Sequence, residues 1–410
     1  MEISRRKVLL AGGAMGAAGA IGMATPAGAK ALWTWKPTGS VAGTGAGLDP
    51  KYVWDDLADP VVSALQERGS AEVLRINQLL RSWTYNSQAL PAGLPTDVRD
   101  FIEEARQLPE WADQAKLRTA LDFYTRRGLY LGLSYGFGSG MMSTVIPNEA
   151  RAVYYSKGGE DMQDRIAKTG KLGHDIGDPN AYQPGGDMIV TTVKTRLVHA
   201  SVRHLLPQSP HWPDGAIPIS QADIMVTWHS LATFAHRSLT RWRLRITPAE
   251  FDGYLHLWQI TAHMLGVQDE YIPATWAEAE AQAAQVLDPI LEATPEGISL
   301  ADTLLDIAQL DLNGDGRGPL RPPLNALTRY MLGDEITDSL QIPREPFWDG
   351  VIEWAWPRFV AIREGALLVP LSPTIAWFFD EILRTGVLFV LGEGQNISIE
   401  MPVANREDFG

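Results

Sequence analysis

Apolar residues recur along this chain at helical spacing, in long runs broken by proline and glycine, and alternating strand-like runs between turns are scarce. One run opens at Pro109-Glu110 and extends to about Leu133, another spans Gly186 to Leu206, and a third spans Ser220 to Trp242. Thr247-Pro248-Ala249-Glu250 is a capping box with proline at the first helical position, and it starts a helix reaching about Leu265. Ala-rich Trp276 to Ala293 and the C-terminal stretch Ile375 to Phe389 continue the pattern. The pattern predicts an all-α fold of about a dozen helices in a single domain over residues 51–410. No internal repeat period is visible, which argues against a helical solenoid. Ahead of that domain, residues 30–50 include the glycine-rich Thr38 to Gly47, a flexible arm with little to bury.

Residues 1–29 change the picture. Ser4, Arg5, Arg6 and Lys7 lead into a Gly/Ala-rich stretch without charge from Ala11 to Gly28, the form of a twin-arginine signal peptide. Ala27-Gly28-Ala29 is an A-x-A cleavage site and places the mature start at Lys30. The other reading is an uncleaved anchor, because Val8 to Gly28 approaches the length of a membrane span. The twin-arginine translocase exports proteins already folded, commonly because a cofactor is inserted in the cytoplasm. The expectation is a secreted, extracellular protein carrying a bound cofactor.

Composition narrows the cofactor. The chain has no cysteine, which excludes disulfides, thiolate iron–sulfur ligation, a cysteine nucleophile, lipoprotein anchoring and covalent C-x-x-C-H haem. His, carboxylate, Lys or Tyr must do the holding. The formal charge is −14, and loss of the leader makes the mature chain more acidic still, which argues against nucleic acid and against anionic membranes as partners. Fourteen tryptophans suit a large core and also the walls of pockets for apolar ligands.

Several familiar motifs fail. Gly136-Phe-Gly-Ser-Gly140 places its serine in the wrong slot for a nucleophile elbow, and it lacks the flanking strand of a dinucleotide fingerprint. There is no H-E-x-x-H. Asp311-Leu-Asn-Gly-Asp-Gly316 resembles half a calcium loop, but its twelfth position is Pro322 in place of a bidentate glutamate, so a turn between helices is the better reading.

The eight histidines are His174, His199, His204, His211, His229, His236, His256 and His263. His229/His236 and His256/His263 are each seven residues apart, on one helical face but two turns distant, a rise of about 10 Å. That is too far for one metal ion, and no helical i, i+4 pair exists. The spacing favours a large cofactor with one axial histidine over a bare zinc or di-iron site. His199 lies in the helical stretch Thr191 to Leu206 with Arg196 and Arg203 at i−3 and i+4. These guanidinium groups would suit a cofactor carrying carboxylates, such as haem propionates; the alternative is that both are solvated.

The leader, the absence of cysteine, and the segments Leu108-Pro-Glu-Trp-Ala-Asp113, Ile146-Pro-Asn-Glu-Ala150, Arg165-Ile-Ala-Lys-Thr-Gly170 and Thr195-Arg-Leu-Val-His199 together resemble the latex clearing protein family of secreted bacterial rubber oxygenases. The resemblance covers essentially the whole mature chain. It implies a globin-like helical core with additional helices around one non-covalent b-type haem, in a monomer without stable membrane anchoring. It also implies cleavage of cis-1,4-polyisoprene with dioxygen to oligomers bearing one aldehyde and one ketone end.

Residue by residue, the resemblance implies His199 as proximal iron ligand and Lys168 as a distal ligand that occupies the sixth position in a closed resting state. Thr169 would hydrogen-bond oxygen or position Lys168, and Arg165 would tie this segment to the haem or to a carboxylate. Glu149 would be the base that removes an allylic proton from the isoprene unit. From the residues alone, Lys168-Thr169-Gly170 is a helix C-terminus with a glycine stop, and Glu149 is a first-turn glutamate after Pro147 and a capping Asn148. A base in an apolar channel needs its pKa raised by desolvation, and a ligating lysine needs its own lowered. Two other functions stay open: a secreted haem oxygenase or peroxidase acting on a small apolar substrate, and a haem-binding protein without turnover.

Overall fold

The computed structural model describes residues 33–34, 41–42, 50–156, 162–309, 320–366, 380 and 397–406. The leader, most of the glycine-rich arm, the Asp311 half-loop and nearly all of Ile375 to Phe389 lie outside the described residues.

The described chain is all-α, as its periodicity predicts. In order it forms α1 (Ala58–Glu67), α2 (Ser70–Arg81), α3 (Thr96–Ala105), α4 (Gln114–Leu133), α5 (Pro147–Tyr155), α6 (Met162–Asp175), α7 (Met188–Leu205), α8 (Gln221–Trp228), α9 (Phe234–Arg241) and α10 (Pro248–Met264). There follow α11 (Trp276–Val286), α12 (Pro295–Ala308), α13 (Arg321–Leu332), α14 (Asp334–Ser339) and α15 (Pro346–Ala366). The strand pairing among the described residues is a two-residue antiparallel match of Trp33–Thr34 with Val41–Ala42, plus one bridge between Ser156 and Asn405. None of the described helices is long and apolar enough to cross a membrane.

Capping chemistry sets several boundaries. α4 starts five residues after Pro109 because the Asp113 carboxylate accepts the Ala115 and Lys116 N–H groups at 2.8 and 3.2 Å. The Asp113 N–H donates in turn to His256 Nε2 at 2.8 Å, fastening the start of α4 to α10. The capping box at Thr247 forms with both of its reciprocal bonds, and a second box, Ser220 with Asp223, opens α8. α10 lies along α4 with backbones in close approach: a Cβ at Gly253 would stand 3.0 Å from the Lys116 carbonyl.

The Ser220 to Trp242 run is not one uniform helix. Between α8 and α9 the residues His229–Thr233 form a π-helical turn, and Ser134–Gly140 beyond α4 forms another. The two π turns touch, with Ser139 Oγ donating to the Ser230 carbonyl at 2.5 Å and the Phe234 ring pressed on Gly138, where a side chain would collide. The wider turn also breaks the helical spacing of His229 and His236.

Two local expectations are corrected. α6 continues past Lys168-Thr169-Gly170 to Asp175, because Lys171 reaches Asp175 at 2.5 Å and Asp187 at 2.7 Å and so ties the helix end to the start of α7. Asn148 is not a cap: the extended residue before α5 is Ile146, Pro147 takes the first turn, and the Asn148 amide turns to Asp223 at 3.4 Å.

α7 runs through the core. It packs against α1, α6 and α10, and Met188 to Lys194 are buried without a break. One apolar cluster extends from Val53 to Met401. The Asn77 side chain holds Met401 by two hydrogen bonds, 2.9 Å to its carbonyl and 3.0 Å from its N–H, which brings the C-terminal segment onto α2.

Candidate active site

Seven of the eight histidines are engaged by the protein. His229 donates or accepts at both ring nitrogens, with Thr233 at 2.8 Å and Gln282 at 2.7 Å. His256 bonds the Asp113 N–H and Gln259, His263 pairs with Asp269 at 2.6 Å, and His204 meets Ser63 at 3.2 Å. His236 stacks on Trp276 at 4.1 Å, His211 stacks on Tyr155 at 4.7 Å, and His174 lies 3.5 Å from Asp175. Among the described residues His199 has no hydrogen bond, ion pair or ring contact, and its Nδ1 is sealed from solvent with no partner. Nor do any three His, Cys, Asp or Glu side chains among them gather closely enough to hold a bare metal ion.

His199 sits deep in the protein and yet keeps some accessible surface. Burial pushes its pKa down to about 3, helped by the positive charges of Arg203 and Arg165 and opposed by Asp55. The imidazole is therefore neutral at physiological pH, the form that ligates a metal.

α6 brings up Arg165, Lys168 and Thr169. Arg165 is likewise deep with surface remaining; burial lowers its pKa and the charge of Glu149 raises it. Its guanidinium makes no hydrogen bond or ion pair among the described residues, so its donors are available. Lys168 Nζ is held by Asp164, one turn earlier, at 2.6 Å, with its side chain about a third exposed (32%). Thr169 is exposed on the same helix.

Glu149, in the first turn of α5, is the third deep group that retains surface. Burial raises its carboxyl pKa to about 7 against the opposing charge of Arg165 and a hydrogen bond from Thr227, while the Asp223 carboxylate pushes it further up. Thr227 Oγ1 stands 3.2 Å from Glu149 Oε2. Arg165 thus exerts its charge on both Glu149 and His199, placing α5, α6 and α7 around one interior region.

The two arginines flanking His199 meet protein carboxylates. Arg196 forms a two-pronged pair with Asp55, Nη2 to Oδ1 at 2.7 Å, and Arg203 closes on Asp59. Asp59 lies in the first turn of α1, and Asp55 three residues before that helix begins. Thr227 and Asp223 were not among the residues singled out from the sequence. A lone threonine in an apolar helix carries no signal, whereas Ser220-x-x-Asp223 is readable as a capping box and would have marked the turn that faces Glu149.

Over residues 124–362 the chain matches the family described as ER-bound oxygenase mpaB/B′/Rubber oxygenase, catalytic domain, a span that includes Glu149, Arg165, Lys168, Thr169 and His199. It is 56% identical over 408 residues to the rubber oxygenase of Streptomyces sp. (strain K30), covering 98% of each chain. It is also similar to a solved structure of the latex clearing protein LCP in the closed state, with 55% identity and a TM-score of 0.78, covering 90% of this chain and 99% of that one.

Proposed function

This chain belongs to the latex clearing protein family of rubber oxygenases, and from that premise we propose that it cleaves the double bonds of cis-1,4-polyisoprene with dioxygen, leaving one aldehyde and one ketone end. The observation that carries this reading is the grouping, deep in the protein, of a neutral His199 and an Arg165 that have no partner among the described residues with a Glu149 poised near neutrality.

These residues fit a b-type haem. Iron requires a neutral imidazole, and among the described residues His199 is the histidine with no hydrogen bond, ion pair or ring contact. Propionates pair with cations, and Arg165 has donors that the described residues leave unmet; with no cysteine in the chain, thioether attachment is excluded, as suits a non-covalent b-type haem. Lys168, held by Asp164 here, would be a second residue able to bind the iron if it parted from that carboxylate. Arg196 and Arg203 are occupied by Asp55 and Asp59, and Arg203 still exerts its charge on His199. The haem supplies the iron chemistry by which dioxygen is activated.

The protein's own work is proton handling in a dry site. Glu149 takes the allylic proton of the isoprene unit as the double bond is attacked, and a pKa of about 7 leaves a usable carboxylate fraction at neutral pH. An alkene plus dioxygen gives a ketone and an aldehyde with no net proton change. Glu149 must therefore return its proton within each turnover, and a group of near-neutral pKa does both. The twin-arginine leader supports export of the folded, loaded monomer to the extracellular space, where a polymer too large to enter the cell must be cut.

The test is an absorption spectrum of the purified mature protein from haem-replete expression, with a pyridine haemochrome, followed by incubation with polyisoprene latex and carbonyl detection. A Soret band, b-type haem and aldehyde release are expected. A folded protein with no Soret band overturns the cofactor and the site together.

A further inference from the structure

We propose that Thr227 is a positioning residue that holds Glu149 in both of its protonation states by turning a single hydroxyl between two acceptors. Thr227 Oγ1 lies 3.2 Å from Glu149 Oε2 and 3.1 Å from the carbonyl of Asp223, one turn back on α8. A hydroxyl has one hydrogen to donate and two lone pairs to accept with. The i−4 carbonyl contact alone is the ordinary resting place of a helical threonine, but an acceptor from another helix on the same oxygen is not.

When Glu149 is a carboxylate, the Thr227 O–H donates to Oε2. When Glu149 carries the proton, its own O–H donates to Thr227 Oγ1, and the threonine hydrogen swings to the Asp223 carbonyl. The chain Glu149 O–H to Thr227 O–H to Asp223 C=O leaves no buried donor unmet in the acid form, and the first arrangement leaves no buried carboxylate without a donor. Proton uptake and release then need only a rotation about the threonine Cβ–Oγ1 bond, with no bond made or broken in Thr227 itself.

The placement is supported from both sides. Asn148, the residue before Glu149, reaches Asp223 Oδ1 at 3.4 Å, so consecutive residues of α5 meet residues one turn apart on α8. Asp223 is itself fixed by Ser220, whose N–H and Oγ both lie 2.9 Å from Oδ2. The charged groups facing Glu149 are Arg165 from α6 and Asp223 from α8; Lys51 acts on Asp223, and Glu296 of α12, packed on the other side of α5, is engaged by the Tyr155 hydroxyl at 2.8 Å.

The inference rests on the reading of Glu149 as the base, and the experiment separates the two. Infrared difference spectra between the haem-loaded parent and Glu149→Gln across pH isolate the carboxyl C=O band and so report the Glu149 titration without reference to turnover. Thr227→Val, which removes the hydroxyl at constant shape, takes away a bond that is stronger to the carboxylate than to the acid, and is expected to move that titration alkaline by about one pH unit. The rising limb of the kcat profile should follow it while KM is held, and Thr227→Ser should restore both. An unchanged Soret band checks the fold, with Thr227→Ala as the second variant should valine not load haem. If Glu149 titrates at the same pH in Thr227→Val as in the parent, the role of Thr227 is overturned whatever the activity. If Glu149→Gln keeps the parental kcat, the base reading falls instead, even where the infrared shift is found.

Discussion

Arg203 grips Asp59 with Nε 2.9 and 2.8 Å from the two carboxylate oxygens and Nη2 2.7 Å from Oδ1, while its Nη1 donates to the Ile219 carbonyl at 2.9 Å. The pair joins α7, which carries His199, to α1, with side-chain exposures of only 5% and 17%. Removing one member strands a charge that is mostly out of water. Arg203→Met should therefore cost about 3 kcal/mol, and Arg203→Met with Asp59→Leu should recover most of that loss, measured as urea midpoints. Haem content decides the remaining question. If the double variant regains stability but still loses haem, Arg203 serves the cofactor directly as well as Asp59.

That pair also marks where a sequence stops being legible. The helices around Thr247, Gly186 and Trp276 could be read because local periodicity and capping residues determine them. Asp55 and Asp59 stand far from Arg196 and Arg203 along the chain, so nothing local announces that those guanidinium groups are occupied. The π turns arise from a tertiary contact, Ser139 on Ser230 and Phe234 on Gly138, and for that reason periodicity alone reads straight through them. Gly170 looked like a stop because glycine usually ends a helix; Lys171 carries α6 onward by binding Asp175 and Asp187. At the site, Glu149, Arg165 and His199 were visible through family motifs, whereas their joint burial and the hydroxyl of Thr227 depend on how α5 and α8 meet.

His199 and His256 should respond in opposite ways to truncation. His199 makes no bond to the described residues, so His199→Ala leaves a hole but strands no partner, and the folded chain should lose haem while its urea midpoint in the haem-free state changes little. His256→Ala removes the acceptor of the Asp113 N–H and a bond to Gln259, and should lower the unfolding free energy by about 1–3 kcal/mol while haem per folded molecule is kept. The paired measurement is the haem-to-protein ratio and the unfolding curve. Equal haem retention in both variants would remove His199 from the iron.

Glu149 makes stability depend on pH in a direction opposite to that of most acidic side chains. Its carboxyl is raised from 4.5 to about 7 by burial, so the folded state holds the proton more tightly than the unfolded chain does. The resulting stabilisation is complete below about pH 4.5 and is lost as pH rises through about 7, because above that point folding must bury a charge. Glutamine mimics the protonated acid at every pH and has no such dependence. Glu149→Gln should therefore match the parent near pH 4 and exceed it by about 2 kcal/mol at pH 8 to 9, after a discount for the surface the carboxyl retains. Chemical denaturation of the two proteins at both pH values measures the difference directly, and the other carboxylates cancel in the comparison. A gap that is constant with pH would mean that Glu149 ionises at an ordinary carboxyl value, and a carboxyl ionised so readily would be too weak a base for the allylic proton.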